Sequence, residues 1–155
     1  MIEMLGVLAI VGVLSAGGIA GYSMAMQSYK TNQLIDRIQL IATRVRTVYK
    51  NGNYTGVSKT NLIKSGKLSE NDFKNPFGGD DFEPCGGCGG PNTFTILAYG
   101  IPADTCVDIL TMDWGGLVSS FWDHSAELGV PLGLSVESAA ERCKNNSVGI
   151  EIIFK

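Results

Sequence analysis

Histidine is nearly absent from this sequence: His124 is the only one in 155 residues. That scarcity excludes a histidine-rich metal centre. Asp123-His124-Ser125 spells the residues of a catalytic triad, but neighbours in sequence do not converge with the hydrogen-bonding geometry a triad needs, and His124 reads as a surface residue. Basic blocks are also missing. With 12 Lys and Arg against 15 Asp and Glu, a net charge of −3, the chain lacks the cationic footprint by which proteins grip nucleic acid through counterion release. No glycine-rich loop follows a strand in a phosphate-binding context, because the glycines between residues 86 and 90 stand among cysteines and prolines. Asp80, Asp81 and Glu83 lack the alternating oxygen ligands of a calcium loop and read as a solvated acidic turn. The sequence offers no catalytic residue and no cofactor.

Charge is missing altogether from Met4 to Tyr29. At roughly 1.5 Å per residue, this opening stretch is long enough to cross a hydrocarbon core of about 30 Å. It does not read as a secretory signal peptide, which has a basic n-region and a shorter apolar core; the one early charge here is Glu3. A plain membrane anchor does not call for Glu3 either, since a carboxylate costs about 2.5–3.5 kcal/mol at a bilayer centre and less near the interface. The helix macrodipole makes Glu3 tolerable at an N-terminus without explaining it. Five glycines, Gly6, Gly12, Gly17, Gly18 and Gly21, add a second oddity. Each costs about 1 kcal/mol of helix propensity relative to alanine, whereas small residues let neighbouring helices approach closely. The segment looks built to pack against copies of itself.

Ile2-Glu3-Met4-Leu5, followed by the run from Val7 to Gly17 with its GVLSAG stretch, resembles the N-terminus of a mature type IV pilin or pseudopilin, and the type IVb subclass in particular. The resemblance implies a short basic leader cut by a prepilin peptidase and a methylated new N-terminus. It also implies a glutamate at the fifth mature position. Glu3 is third, so two mature residues and the leader are expected to precede Met1. Where the family often has a helix-breaking proline this chain has Ala20, within Gly17-Gly18-Ile19-Ala20-Gly21, and these glycines are expected to supply the same local unwinding in a filament.

From Gln27 to Lys50 the pattern becomes amphipathic: Leu34, Ile38, Ile41, Val45 and Val48 fall on one face, while Arg37, Arg44 and Lys50 fall off it. Asn51-Gly52-Asn53 predicts the stop. A short helix is predicted around Thr60 to Ser65, Ser69 is a candidate N-cap, and Asn75-Pro76-Phe77-Gly78-Gly79 marks a break. Strands are predicted at Thr93 to Tyr99, Leu117 to Trp122 and Val148 to Phe154. Helices are predicted from Pro102 to Met112, with the proline in the first turn, and from Val136 to Lys144, capped by Ser135. The expected fold class is α+β: a long N-terminal helix on a globular head with an antiparallel sheet, the pilin fold. Residues 1–26 form the hydrophobic stem and residues 27–155 the head, enough chain for one core.

Four cysteines fit two disulfides in an oxidising compartment. The pilin resemblance implies a pair between Cys106, in IPADTC, and Cys143, in AAERC, closing the C-terminal region; such a loop is worth about 4 kcal/mol in the chain-entropy model. Cys85-Gly86-Gly87-Cys88 has three readings: a redox pair, half of a four-cysteine zinc site, or a local disulfide stapling a glycine-rich loop. The resemblance does not decide among them, and the local disulfide is preferred because no following helix depresses a thiol pKa.

The function expected from the resemblance is structural. The chain is read as the major subunit of a type IV pilus, held in the inner membrane by its stem and then packed by that stem into a homopolymeric filament on the cell surface. The pilus would serve adhesion, aggregation, motility or DNA uptake, and its partners would be the prepilin peptidase and the assembly machinery. Glu3 is the expected assembly residue, and Gly12, Gly17, Gly18 and Gly21 serve packing or unwinding. The alternatives are a minor pilin or type II secretion pseudopilin, and a membrane-anchored periplasmic thiol protein using Cys85 and Cys88.

Overall fold

The computed structural model describes residues 2–123, 128–144 and 148–155; the side chains of Ile2, Glu3, Leu128 and Val148 lie outside that description, as do His124 and Ser125. One helix, α1, runs unbroken from Ile2 to Val48. Its predicted stripe is the part that packs: Leu34, Ile38, Ile41 and Val45 are fully buried, and Val48 is packed at the edge of the core. The helix ends two residues before Lys50, and Gly52 takes the left-handed conformation at φ 68° that reverses the chain.

Two short turns follow. Helix α2, Lys59–Lys64, is capped by the Ser58 hydroxyl, which accepts from the Asn61 N–H at 3.3 Å. Ser69 opens a single 3-10 turn, Glu70–Phe73, where the Asp72 carboxylate accepts both the Ser69 N–H at 2.7 Å and the Ser69 hydroxyl at 2.8 Å. The backbone bond first, then the hydroxyl, hold the Asp72 carboxyl below its ordinary value of 3.8. A lowered carboxyl pKa stabilises the fold above the unfolded value and loses that contribution as the pH falls through the folded one. Asp72→Asn is therefore expected to be less stable than wild type at neutral pH. The gap should close as denaturation curves are repeated below the ordinary carboxyl pKa.

The head sheet has five strands, β1 Glu83–Gly86, β2 Phe94–Ile101, β3 Val118–Asp123, β4 Leu128–Val130 and β5 Val148–Phe154, ordered β1-β2-β5-β3-β4 with every neighbour antiparallel. The C-terminal strand thus lies in the centre. Alternate residues Phe94, Ile96 and Ala98 on β2 and Ile150, Ile152 and Phe154 on β5 are buried in one core with the stripe of α1. Phe94 stacks on Phe154 with ring centroids 5.0 Å apart, and Trp114 meets Phe154 edge-on at 6.3 Å. Helices α3, Ala103–Thr111, and α4, Val136–Arg142, flank this sheet.

Several expectations need correction. Cys85 is not in a loop; it lies on β1, paired with Thr95. Pro84 and Gly86 mask this strand in the sequence: the proline is tolerated because β1 is an edge, and the glycine is required because a Cβ there would come 1.8 Å from Tyr54 O. Strand β4, Leu128–Val130, has no counterpart among the predicted strands, because three residues carry too little periodicity to mark one. Pro102 is the N-cap of α3, outside its first turn. Helix α4 stops at Arg142, so Cys143 is its C-cap.

Candidate functional site

The stem has no partner in the chain. Every described residue from Met4 to Met26 is exposed, including Leu8 at 67%, Val13 at 74% and Ile19 at 72%, and Gln27 is the first half-buried position. By length and composition α1 holds a stretch apolar enough to cross a membrane, at mean hydropathy 2.1, with none of it buried. Apolar surface exposed on this scale marks an interface. A Cβ built on Gly6, Gly12, Gly17, Gly18 or Gly21 meets nothing within 4 Å, so within one subunit these glycines weaken the helix with no packing gain. Ser15 and Ser23 bond back to Val11 O at 2.7 Å and Ala20 O at 2.8 Å, which satisfies both hydroxyls within the helix itself. Glu3 lies in its opening turn.

Below the stem, polar contacts lock α1 to the head. Gln27 donates to the Asp104 carboxylate, and the buried hydroxyls of Thr31 and Thr105 meet at 2.8 Å. Arg37 donates to Lys74 O. The Arg46 guanidinium donates to Leu117 O at 3.1 Å and to Lys155 O at 2.6 Å, tying the far end of α1 to the residues just before β3 and just after β5. The sequence signal for these residues was weak, because a polar group on a helix flank looks the same whether it meets water or a carbonyl.

Both cysteine pairs are bonded. Cys106 on α3 joins Cys143 at the end of α4 across 37 positions, with Cα atoms 5.8 Å apart and each residue 1% exposed. Cys85 joins Cys88 with the same Cα separation, at the exposed tip where β1 turns into β2. The two bonds differ in place: one staples two helices in the core, the other closes a surface turn.

Charge divides along the head. Residues 27–74 carry nine basic and three acidic side chains, and residues 75–155 carry three basic and eleven acidic. The fold brings the two segments together at one edge, where Asp80, Asp81 and Glu83 line the same surface pocket as Lys59. Gly86 N–H bonds to Val57 O at 3.2 Å and Lys59 pairs with Asp81 at 2.5 Å, which sets the basic α2 segment beside the β1 edge. Cys106 and Leu110 of α3 border the same small cavity as Phe121 and Val130 of β3 and β4, at the opposite edge. Helix α3 exposes Asp104 and Asp108 one turn apart, and burial first, then the Asp104 charge, raises the Asp108 carboxyl. This split is legible in the sequence once charges are counted by segment.

The family model for bundlin matches residues 23–153. Among solved structures, TcpA, a type IV pilin from Vibrio cholerae El Tor, superposes with a TM-score of 0.61 at 13% identity, over 82% of this chain and 99% of that one. The type IVb pilin from Salmonella typhi superposes with a TM-score of 0.58 at 20% identity, over 80% and 97%. Comparison with curated proteins gives no match. At these identities the structural likeness establishes the fold: a long helix carrying an antiparallel head.

Proposed function

Because the chain belongs to the bundlin family of type IV pilins, we propose that it is the major subunit of its pilus, anchored in the inner membrane by residues 1–26 until assembly and then packed by them into the filament core. The observation that carries this reading is the stem: apolar from Met4 to Met26, exposed throughout, and studded with glycines that touch nothing in the monomer. A lone subunit does not tolerate that surface in water; a membrane and a bundle of like helices both cover it. Glu3 is the assembly residue in this reading. In the same reading, residues 27–155 make up the head, and the glycines at 12, 17, 18 and 21 let stems pack closely or unwind. The prepilin peptidase and the pilus assembly machinery are its processing partners. The family and fold are those of structural proteins, and we assign no enzyme activity.

Electron microscopy of sheared surface filaments, with mass spectrometry of the subunit, tests the proposal. A major pilin dominates the preparation; a minor pilin or secretion pseudopilin does not.

The divided charge supports the polymer. The exposed Asp104 and Asp108 of α3 suit a contact with basic side chains of the 27–74 segment on a neighbouring copy, and a head-to-tail contact that does not close on itself propagates as a helix. Exposed ion pairs contribute about 0.2–1 kcal/mol each and are screened by salt. Replacing both Asp104 and Asp108 with lysine is expected to make filaments fall apart at lower ionic strength than wild type, in a graded way. Pelleting of sheared filaments across a salt series checks this, and an unchanged salt profile removes α3 from the contact.

A further inference from the structure

We propose that the Cys85–Cys88 bond is an exchangeable disulfide, a site at which the folded head takes an incoming thiol covalently at Cys88. Access separates the two disulfides. Thiol–disulfide exchange needs a thiolate to reach one sulfur in line with the bond it breaks. Cys106 and Cys143 are each 1% exposed inside the core, whereas Cys88 is exposed and Cys85 is half-buried.

Opening this bond requires no unfolding. The turn that carries it is held independently by backbone bonds: Gly87 N–H to Thr93 O at 2.9 Å, Thr93 N–H to Gly90 O at 3.3 Å, and Gly86 N–H to Val57 O at 3.2 Å. Strand β1 keeps its ladder to β2 from Glu83 to Gly86. Gly89 lies flush on the outer face of the sheet, where a Cβ would come 2.6 Å from Ile153 Cγ2 and 3.0 Å from Thr95 Cγ2. That contact sets Cys88 at the rim of a surface groove also lined by Ser120, Trp122, Gly129 and Ile153. Trp122, 38% exposed, gives an incoming thiol compound a partly apolar wall.

The greater exposure of Cys88, and its place on the groove, assign each cysteine its role. The thiolate of a dithiol attacks Cys88 Sγ, a mixed disulfide forms, and Cys85 leaves as a thiolate that takes a proton from water. The second thiol of the reagent then attacks its own sulfur in the mixed disulfide and releases Cys88. The protein disulfide is reduced by two electrons and the dithiol is oxidised to its cyclic disulfide. No helix N-terminus follows the pair to stabilise a thiolate, so the exchange is stoichiometric and the head is a thiol acceptor, not an oxidoreductase.

The test uses the full chain in detergent micelles, titrated with dithiothreitol, alkylated and mapped by peptide mass. Cys85 and Cys88 are expected to be alkylated at least ~10-fold faster than Cys106 and Cys143, with the far-UV circular dichroism unchanged. Glutathione, applied together with an alkylating agent that caps the released Cys85 thiol before it can re-close the ring, is expected to be found on Cys88. Equal rates for the two disulfides, trapping on Cys85, or loss of the sheet signal when Cys85–Cys88 opens each overturns the proposal. A Cys85→Ser chain supplies an independent measurement: its Cys88 is expected to react with an aromatic disulfide reagent while the head stays folded, and a Cys88 that fails to react in a folded head counts against the site.

Discussion

Filaments are expected to vanish when Glu3 is replaced by valine or alanine, while the subunit itself accumulates in the membrane at wild-type levels. The argument starts from isolation. Glu3 is the only charged side chain before Lys30, and in the proposed assembly polymerisation through the stem takes it from the edge of a bilayer into a core of apolar side chains. There an unpaired charge is costly, and in the proposed assembly the group that matches it is the N-terminal amine of a neighbouring subunit. Removing one partner of a buried pair costs about 3–5 kcal/mol, because the other charge stays buried and uncompensated. At about 1.4 kcal/mol per factor of ten, that is a loss of ~100-fold or more at each subunit addition. Since every subunit repeats the contact, the expected readout is near-complete loss of sheared filament, counted by electron microscopy, with the membrane fraction immunoblotted in parallel. Glu3→Gln keeps the size and loses the charge, so it is expected to share the defect. Normal filament yield from either variant removes Glu3 from assembly.

The second large effect is expected from the core disulfide. Replacing Cys106 and Cys143 together with alanine releases a loop spanning 37 positions, worth about 4 kcal/mol in the chain-entropy model. Against a typical domain stability of 5–15 kcal/mol that is a large fraction. Both sulfurs are buried, so the truncation also leaves unfilled volume between α3 and α4. The loss should appear as a lowered thermal midpoint for the full chain in detergent. Limited proteolysis should cut first in the segment between the two helices, whose short elements depend on the bridge. The same replacement at Cys85 and Cys88 opens a four-residue ring worth about 2 kcal/mol and sits on a turn with its own backbone bonds, so its effect should be distinctly smaller. Equal destabilisation by the two double variants contradicts this account.

The fold was legible where the physical signal is local and repeated. The stripe at Leu34, Ile38, Ile41 and Val45 predicted which face of α1 is buried, because a helix places those positions on one side regardless of what covers them. Strand β5 stood out from Val148 to Phe154 because β-branched and aromatic residues run together there. Signals failed where the structure departs from local preference. Strand β1 contains a proline that an edge position tolerates and a glycine that the close approach of the Tyr54 backbone demands. Residues of the α1–head joint, Thr31 with Thr105 and Arg46 with Lys155, are 74 and 109 positions apart, and nothing in either neighbourhood announces the other.

What the sequence by itself determined is the division of labour between stem and head. A stretch with no charge from Met4 to Tyr29, one acid at its head and five glycines within it states a requirement for an apolar environment and close helical neighbours, because burial energy and backbone approach are properties of composition and spacing. Tertiary structure alone decided that α1 leaves its glycines untouched within the subunit and that the C-terminal strand lies in the centre of the sheet. It alone set Lys59 of the basic segment against Asp81 of the acidic one. It also decided the fates of the two disulfides, burying one and leaving the other at a surface turn. These are facts of long-range proximity, and proximity between distant residues is set by how the elements pack, which no local pattern encodes.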